Sequence, residues 1–345
     1  MRPHGTPSNP PNRFEGRRVE IDPAFEPDEA DLPGIELIRD RSRTILSRND
    51  SPDVGFDVSV NPYRGCSHAC PYCFARPSHE YLGYSAGLDF ETRILFKPEA
   101  PALLRRALAS PHWEPRAVAL SGVTDCYQPA ELRLRITRCC LGVLSEFRNP
   151  TLIVTKSWLV TRDVDLLAEL SAFEAASVAI SVTSLDRDLQ RILEPGASPP
   201  AQRLRAIETL ARAGIPVGVL VAPVIPALND HEIPKIIAAV ASAGAGWASK
   251  VMLRLPRGVA GLFSEWLERH VPERRKKVLS KVRAMRAGKL HDGRFGTRQT
   301  GVGLLAEQTE AVFALALRRH GLARKGPRLS VAAFRRPGPE QLGLL

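Results

Sequence analysis

Between residues 55 and 256 the chain alternates two kinds of segment, and no other feature narrows its fold so far. Short apolar, β-branched runs recur: FDVSV (56–60), AVALSG (117–122), TLIVT (151–155), SVAISVT (177–183), PVGVLVA (216–222) and KVMLRL (250–255). Between them lie stretches with apolar residues three and four apart, the helical period. PAELRLRITRCCLGVLSEF (129–147) carries Leu132, Ile136, Cys139, Cys140, Val143, Leu144 and Phe147 on one stripe, which predicts a single helix. DVDLLAELSAF (163–173), AQRLRAIETLARAG (201–214) and HEIPKIIAAVASAG (231–244) read the same way, the last two stopping on a glycine. Strand, helix and strand in regular succession require right-handed crossovers and a parallel sheet. The six strands are too few to close an eight-stranded barrel, so an open barrel and a doubly wound sheet both fit. In either, ligands meet the chain just past the C-terminal ends of the strands.

The 345 residues suffice for one large α/β domain or two ordinary ones, and 44% apolar content is that of a globular protein. No apolar run reaches the roughly 18 residues of a membrane span. Residues 1–50 are rich in Pro, Arg, Asp and Glu and read as a mobile N-terminal arm. Residues 51–256 hold the alternating core, and 257–345 read as a basic, helical C-terminal extension. The first residues lack the apolar block of a signal peptide, so a cytoplasmic protein is expected. There, clustered thiols bind metal or do redox work more often than they form disulfides. The net charge of +11 favours a polyanionic partner such as nucleic acid, although a basic surface can equally be just solvated.

Half of the chain's six cysteines fall within one short stretch, YRGCSHACPYCF (63–74), as Cys66, Cys70 and Cys73. The loop follows the first strand closely, which puts the thiols at the C-terminal mouth of the sheet. Structural zinc takes four ligands in two short pairs, and no second pair is present. His68 lies inside the cysteine loop, where its chelate geometry is awkward. Cys139 and Cys140 sit on an apolar helix face and read as core residues. Three thiolates without a fourth suit a [4Fe–4S] cluster with one iron left open to substrate.

The pattern Cys-x-x-x-Cys-x-aromatic-Cys after the first strand of a parallel sheet resembles the signature of the radical S-adenosylmethionine enzymes. The wider wording, NPYRGCSHACPYCFARPSHEYLG, SGVTDCYQPAE and VAPVIPALND, is similar to the branch that includes spore photoproduct lyase, over about residues 55 to 290. The resemblance implies a partial (β/α)6 TIM-like open barrel, with N- and C-terminal extensions. It implies a [4Fe–4S] cluster on Cys66, Cys70 and Cys73, whose open iron chelates S-adenosylmethionine. One electron, from a flavodoxin- or ferredoxin-type donor, then splits the sulfonium C–S bond to give methionine and a 5′-deoxyadenosyl radical. The protein binds, orients and excludes water. The strand ends are the candidate cofactor site. Ser121, Gly122, Thr124 and Asp125 are expected at the methionyl amine, with Gly122 allowing close approach. Thr155 and Lys156 are expected near the carboxylate, and Ser181 and Thr183 at the ribose. Val221, Ala222 and Pro223 are expected to wall the adenine, with Tyr72 packed beside it.

Each of these has a structural counter-reading. A Ser or Thr at a strand end often caps the next helix, as Ser184 and Asp186 are placed to do. Asp125 can accept turn amides. Arg254, in an otherwise apolar strand, is either paired near the mouth or reaches out to water. Cys126 and Tyr127 are the candidate hydrogen donors to a substrate radical. Similar lyases use a cysteine in this broad region, yet aligning Asp125 with their acidic residue does not put Cys126 at that place, and a structural thiol is the alternative. His79 and Glu80 are candidate substrate contacts, or part of a loop packed on the barrel. The basic helix pattern at 273–290, with Val278, Val282 and Met285 near one face, either binds phosphates or covers the open barrel edge. Hydrogen abstraction in nucleic acid repair or modification is the expected activity. A cluster protein that only transfers electrons and a zinc-dependent nucleic-acid-binding module are the competing expectations.

Overall fold

A computed structural model describes residues 4–15 and 34–337. Two short strands come first, β1 (Glu36–Arg39) and β2 (Leu46–Arg48). The repeating pattern opens with β3 (Val58–Val60), β4 (Tyr63–Arg64), the short helix α1 (Leu88–Thr92), β5 (Arg93–Phe96) and α2 (Ala100–Ala109). It continues through β6 (Val118–Leu120), α3 (Glu131–Leu134), α4 (Ile136–Glu146), β7 (Thr151–Thr155), α5 (Val164–Ser171), β8 (Ala176–Ser181) and α6 (Arg187–Leu193). Then come α7 (Pro200–Arg212), β9 (Val217–Val224), α8 (Ile233–Ser242) and β10 (Trp247–Met252), followed by α9 (Val259–His270), α10 (Pro272–Ala284) and α11 (Leu304–His320).

The main sheet has the order β10-β9-β8-β7-β6-β3-β2. From β3 to β10 its neighbours pair in parallel and in chain order, with β2 antiparallel at the β3 edge. A doubly wound sheet needs a point where strand order reverses, and none occurs here. Parallel strands joined in chain order by crossovers of the usual right hand put their helices on one face and curl the sheet around the other. The result is an open partial barrel. β8, at its centre, is buried at every position, as a parallel strand covered on both faces must be. The expectation of a core Cys139 is corrected: like Leu132 it is exposed, and it lies beside the predicted stripe, on the helix side turned to water. The rest of that stripe, Ile136, Cys140, Val143, Leu144 and Phe147, is buried in the main core. Each large apolar side chain so buried contributes about 1.5–3 kcal/mol.

Two sequence expectations change. The predicted helix at 129–147 is broken at Arg135, which sits in the left-handed region at φ 53°. The cause is Glu131, whose buried carboxylate accepts the Thr137 amide at 2.9 Å and the Arg138 amide at 3.3 Å. A new helix starts there on an anion, the arrangement a helix N-terminus favours. Residues 1–50, where described, are not a loose arm: β2 pairs with β3, β1 pairs with β5, and Glu91 accepts the Gly5 amide and the Thr6 hydroxyl, each at 2.9 Å. Residues 16–33, also assigned to that arm, lie outside the described residues.

In the C-terminal part, α9 and α10 build a second core. Phe263, Trp266, Val278 and Val282 pack in one cluster with Cys70, Tyr72 and Leu193. α10 therefore turns its apolar residues onto the barrel, while Arg274, Lys276, Lys277 and Arg283 face water.

Candidate active site

The cysteine loop lies between β4 and α1 and is drawn tight by its own backbone. The Ala69 amide donates to the Cys66 carbonyl at 3.2 Å, Cys73 to Cys70 at 3.2 Å, and Arg76 to Cys73 at 3.3 Å. All three thiols are free; Cys66 and Cys70 are buried and Cys73 half-buried. Cys73 packs both against the group of Cys66, Ala75 and Phe90 and against that of Cys70 and Tyr72. Burial pushes the Cys70 and Cys73 thiols up, and the neighbouring sulfurs push them further. Thiolates crowded in this way are stable only against a positive group, which an iron cluster supplies. Among the described residues no three His, Cys, Asp or Glu side chains gather as a single ion would need. A four-iron cube asks for one thiolate at each of three corners, and this donor set fits that demand.

The loop is clamped from two sides. Arg76, fully buried, donates Nε to the Cys70 carbonyl at 2.8 Å and Nη1 to those of Ala86 and Gly87 at 3.0 and 2.9 Å, and pairs with Glu91. Gly5 lies so close that a Cβ on it would stand 1.5 Å from the Ala69 carbonyl oxygen. On the barrel side, the Gly196 amide donates to the His68 carbonyl at 3.1 Å, and a Cβ there would stand 1.9 Å from the Ser67 carbonyl oxygen. Any side chain at either glycine would push the loop away.

Asp125 ties the second and third strand exits to this loop. Its carboxylate accepts the Thr155 hydroxyl and the Lys156 amide, each at 2.7 Å, and the Tyr127 amide at 2.9 Å, and it lies 3.3 Å from His68 Nδ1. Burial works against its charge, but the His68 imidazolium and these donors hold its pKa down to about 2. Burial likewise opposes the His68 charge, and Asp125, with Cys66 adding, pushes that pKa up to about 10.

Glu194, at the end of α6, ties the remaining exits. It accepts the Thr183 hydroxyl at 2.6 Å, pairs with Arg203 and Tyr72 Oη, and lies 3.9 Å from Lys156 Nζ. Burial works against its charge, but Arg203, Lys156 and the hydroxyls hold its pKa down to about 2. Arg203 Nη1 also donates to the Ser181 carbonyl at 2.9 Å.

The structure thus gathers Tyr72, Thr155, Lys156, Ser181 and Thr183 around two buried carboxylates, Asp125 and Glu194, beside the cysteines. Val221 and Pro223 are buried within β9, which runs two residues past the expected end at 222, and Asn229 Nδ2 donates to the Pro223 carbonyl at 3.0 Å. Ser121 Oγ is buried without a partner. The expected close approach at Gly122 belongs to the protein itself: a Cβ there would meet Ser59 Oγ at 3.0 Å. Thr124 is spent on the Tyr63 carbonyl, to which its hydroxyl donates at 2.9 Å. Cys126 and Tyr127 are fully buried in the main core, and the Tyr127 hydroxyl donates to Asp163 at 3.0 Å. Neither side chain reaches solvent. Of the two candidate caps, Asp186 does the work, accepting the Asp188 and Leu189 amides. His79 is fully buried between Tyr84 and Phe90, and Glu80 faces Arg13 at 3.4 Å. The sequence reading missed Glu194, Arg203 and Asn229, and weighed His68 only as a metal ligand.

Comparison with known proteins agrees with this geometry. Residues 60–240 match the family model described as "Radical SAM superfamily". An uncharacterised protein of Mycobacterium tuberculosis is 41% identical over 220 residues, covering 63% of this chain and 65% of the relative. One of Methanocaldococcus jannaschii is 29% identical over 198 residues, covering 57% and 71%. A variant of spore photoproduct lyase superposes with a TM-score of 0.59 at 16% identity, over 87% of this chain and 85% of that one. Another, with bound AdoMet and dinucleoside spore photoproduct, superposes with a TM-score of 0.58 at 17% identity, over 84% of each.

Proposed function

The chain belongs to the radical SAM superfamily, whose cofactors are a [4Fe–4S] cluster and S-adenosylmethionine, and from that membership we propose how its own residues serve such chemistry. Cys66, Cys70 and Cys73 hold the cluster. With the reduced cluster and S-adenosylmethionine bound, the site would supply one-electron reductive cleavage of the sulfonium C–S bond, the chemistry that starts hydrogen abstraction. The strand exits bind and orient the cofactor: Lys156 offers a cation to its carboxylate, Ser121 Oγ an unspent hydroxyl, and Val221 and Pro223 an apolar wall. Asp125 and Glu194 act through others. They hold His68, Thr155, Thr183 and Tyr72 in one arrangement and keep water out of the mouth. The substrate class we propose for the hydrogen abstraction this cofactor pair would supply is nucleic acid, in repair or modification. The basic charge supports that substrate class, as does the shared fold with spore photoproduct lyase, one structure of which holds a dinucleoside photoproduct.

The observation that carries this reading is the buried three-cysteine loop at the C-terminal mouth of an open parallel barrel, clamped on both sides. The test is anaerobic reconstitution, followed by iron and zinc analysis and a search for 5′-deoxyadenosine under reducing conditions. A brown protein that forms it is expected, with Cys66→Ala, Cys70→Ala and Cys73→Ala each losing colour and cleavage. Colourless protein holding one zinc overturns the reading. A brown protein that passes electrons but never cleaves S-adenosylmethionine leaves electron transfer in its place. Transfer of deuterium from a labelled oligonucleotide into 5′-deoxyadenosine tests the substrate class.

A further inference from the structure

The seam of the open barrel carries groups that the cofactor site does not use. Residues 292–300 bridge from the last strand to the loop between β2 and β3. The Met252 amide donates to the Gln299 carbonyl at 2.8 Å. Asp53 accepts the Gly296 amide at 2.7 Å and pairs with Arg298. Two rings stand in solvent along this seam: Phe74, 52% exposed and next to Cys73, and Phe295, 53% exposed. Each has a guanidinium over its face, Arg254 at 5.5 Å from the Phe74 centroid and Arg298 at 4.5 Å from that of Phe295. The two pairs are neighbours, since both Arg298 and Asp53 act electrostatically on Arg254.

Arg254 Nε and His291 Nδ1 are shielded from solvent and have no hydrogen-bond partner. His291 faces Arg254, Arg286 and Arg257, with Asp292 as its acidic neighbour. The nearby acids are engaged elsewhere, Asp53 with Arg298 and Asp292 with Arg294 at 2.7 Å. Among the described residues, no carboxylate comes within ion-pair distance of Arg254 or Arg257. A shielded donor without a partner is costly unless a ligand satisfies it. Phosphate answers the arginines, and a nucleobase answers the solvent-exposed side of each ring that the guanidinium leaves uncovered. An acidic peptide answers only the first, and a base-paired duplex hides the faces that the rings need.

The geometry points to this seam as a docking strip for single-stranded nucleic acid, with bases stacked on Phe74 and Phe295 and a phosphate on Arg254. It rests on the reading of nucleic acid as the substrate class and leads the strand to the cluster loop, because Phe74 follows Cys73. Fluorescence anisotropy of a labelled oligothymidylate, on the anaerobically reconstituted protein across a salt series, tests it. Arg254→Ala should weaken binding about tenfold and lower the salt slope by about one phosphate contact. Phe295→Ala should weaken it about tenfold with the slope unchanged, and Phe295→Tyr should restore it. Reductive S-adenosylmethionine cleavage without nucleic acid should be unchanged in Phe295→Ala, as should its thermal melt. Wild-type affinity in both alanine variants overturns the strip, as does equal affinity for duplex or for polyglutamate. If cleavage persists while the variants bind normally, the strip fails and the enzyme reading stands. If binding is sensitive to the variants and cleavage is absent, the enzyme reading fails and the strip stands.

Discussion

Glu194 is fully buried yet charged, and side chains from four parts of the chain account for it: Tyr72, Lys156, Thr183 and Arg203. Glu194→Ala would leave the Arg203 guanidinium, 1% exposed, without its counter-charge. A loss of about 3–5 kcal/mol in urea unfolding is expected, because an unpaired buried charge costs more than the pair yields. The pH dependence follows from the carboxyl pKa, held at about 2 against an ordinary 4.5. Its stabilising contribution is complete above pH 4.5 and fades as pH falls towards 2. Wild type should therefore lose stability over that range more steeply than Glu194→Gln, and parallel curves would show that the carboxyl is not ionised. None of this was legible beforehand. The cysteines announce themselves by local spacing, whereas Tyr72 and Glu194 are 122 residues apart and meet only through the fold. Ser121, Thr155 and Thr183 could be named as candidates because strand ends mark a place as well as a residue type. Cys126 and Tyr127 occupy such a place too, but strand-end position does not say which way a side chain points.

The strands were the most legible elements, since continuous β-branched runs between helical patterns leave few alternatives. β7 falls on the expected TLIVT run, and the others lie within a few residues of theirs. The break between α3 and α4 was not legible, because the apolar stripe runs across it unbroken and only the buried Glu131 carboxylate interrupts the backbone. That break makes a test. Arg135 holds φ 53°, a conformation that costs a residue with a Cβ about 1–2 kcal/mol. Arg135→Gly removes that strain at some cost in unfolded-state entropy, and a net gain of about 0.5–1 kcal/mol is expected in thermal or urea unfolding. A loss of stability would mean that the side chain contributes more than the backbone strain removes. α9 and α11 were not legible as separate helices within the basic, helical extension expected at 257–345.

At the scale of the whole molecule, the sheet's chain-order pairing decides between two architectures that periodicity alone left open, and it leaves a seam that something must cover. The second core shows what covers part of it. Trp266 and Phe263 stack at 5.6 Å and pack in one cluster with Cys70 and Tyr72, so the boundary drawn at residue 257 cuts through packed side chains. The basic tail is thus structural on its inner face, whatever its charges bind outside. A chain ended after Pro256 would expose Leu253, Leu255, Ile225 and Leu228, and with them one wall of the cysteine loop. Such a protein is expected to aggregate and to hold no iron. Trp266→Ala is the milder form of the same test. It should cost about 3–5 kcal/mol but leave a folded protein, and iron should pass to a chelator faster than from wild type. Unchanged chelation kinetics in Trp266→Ala, alongside a soluble brown truncated chain, would mean that the cysteine loop is held by the barrel and the N-terminal residues alone.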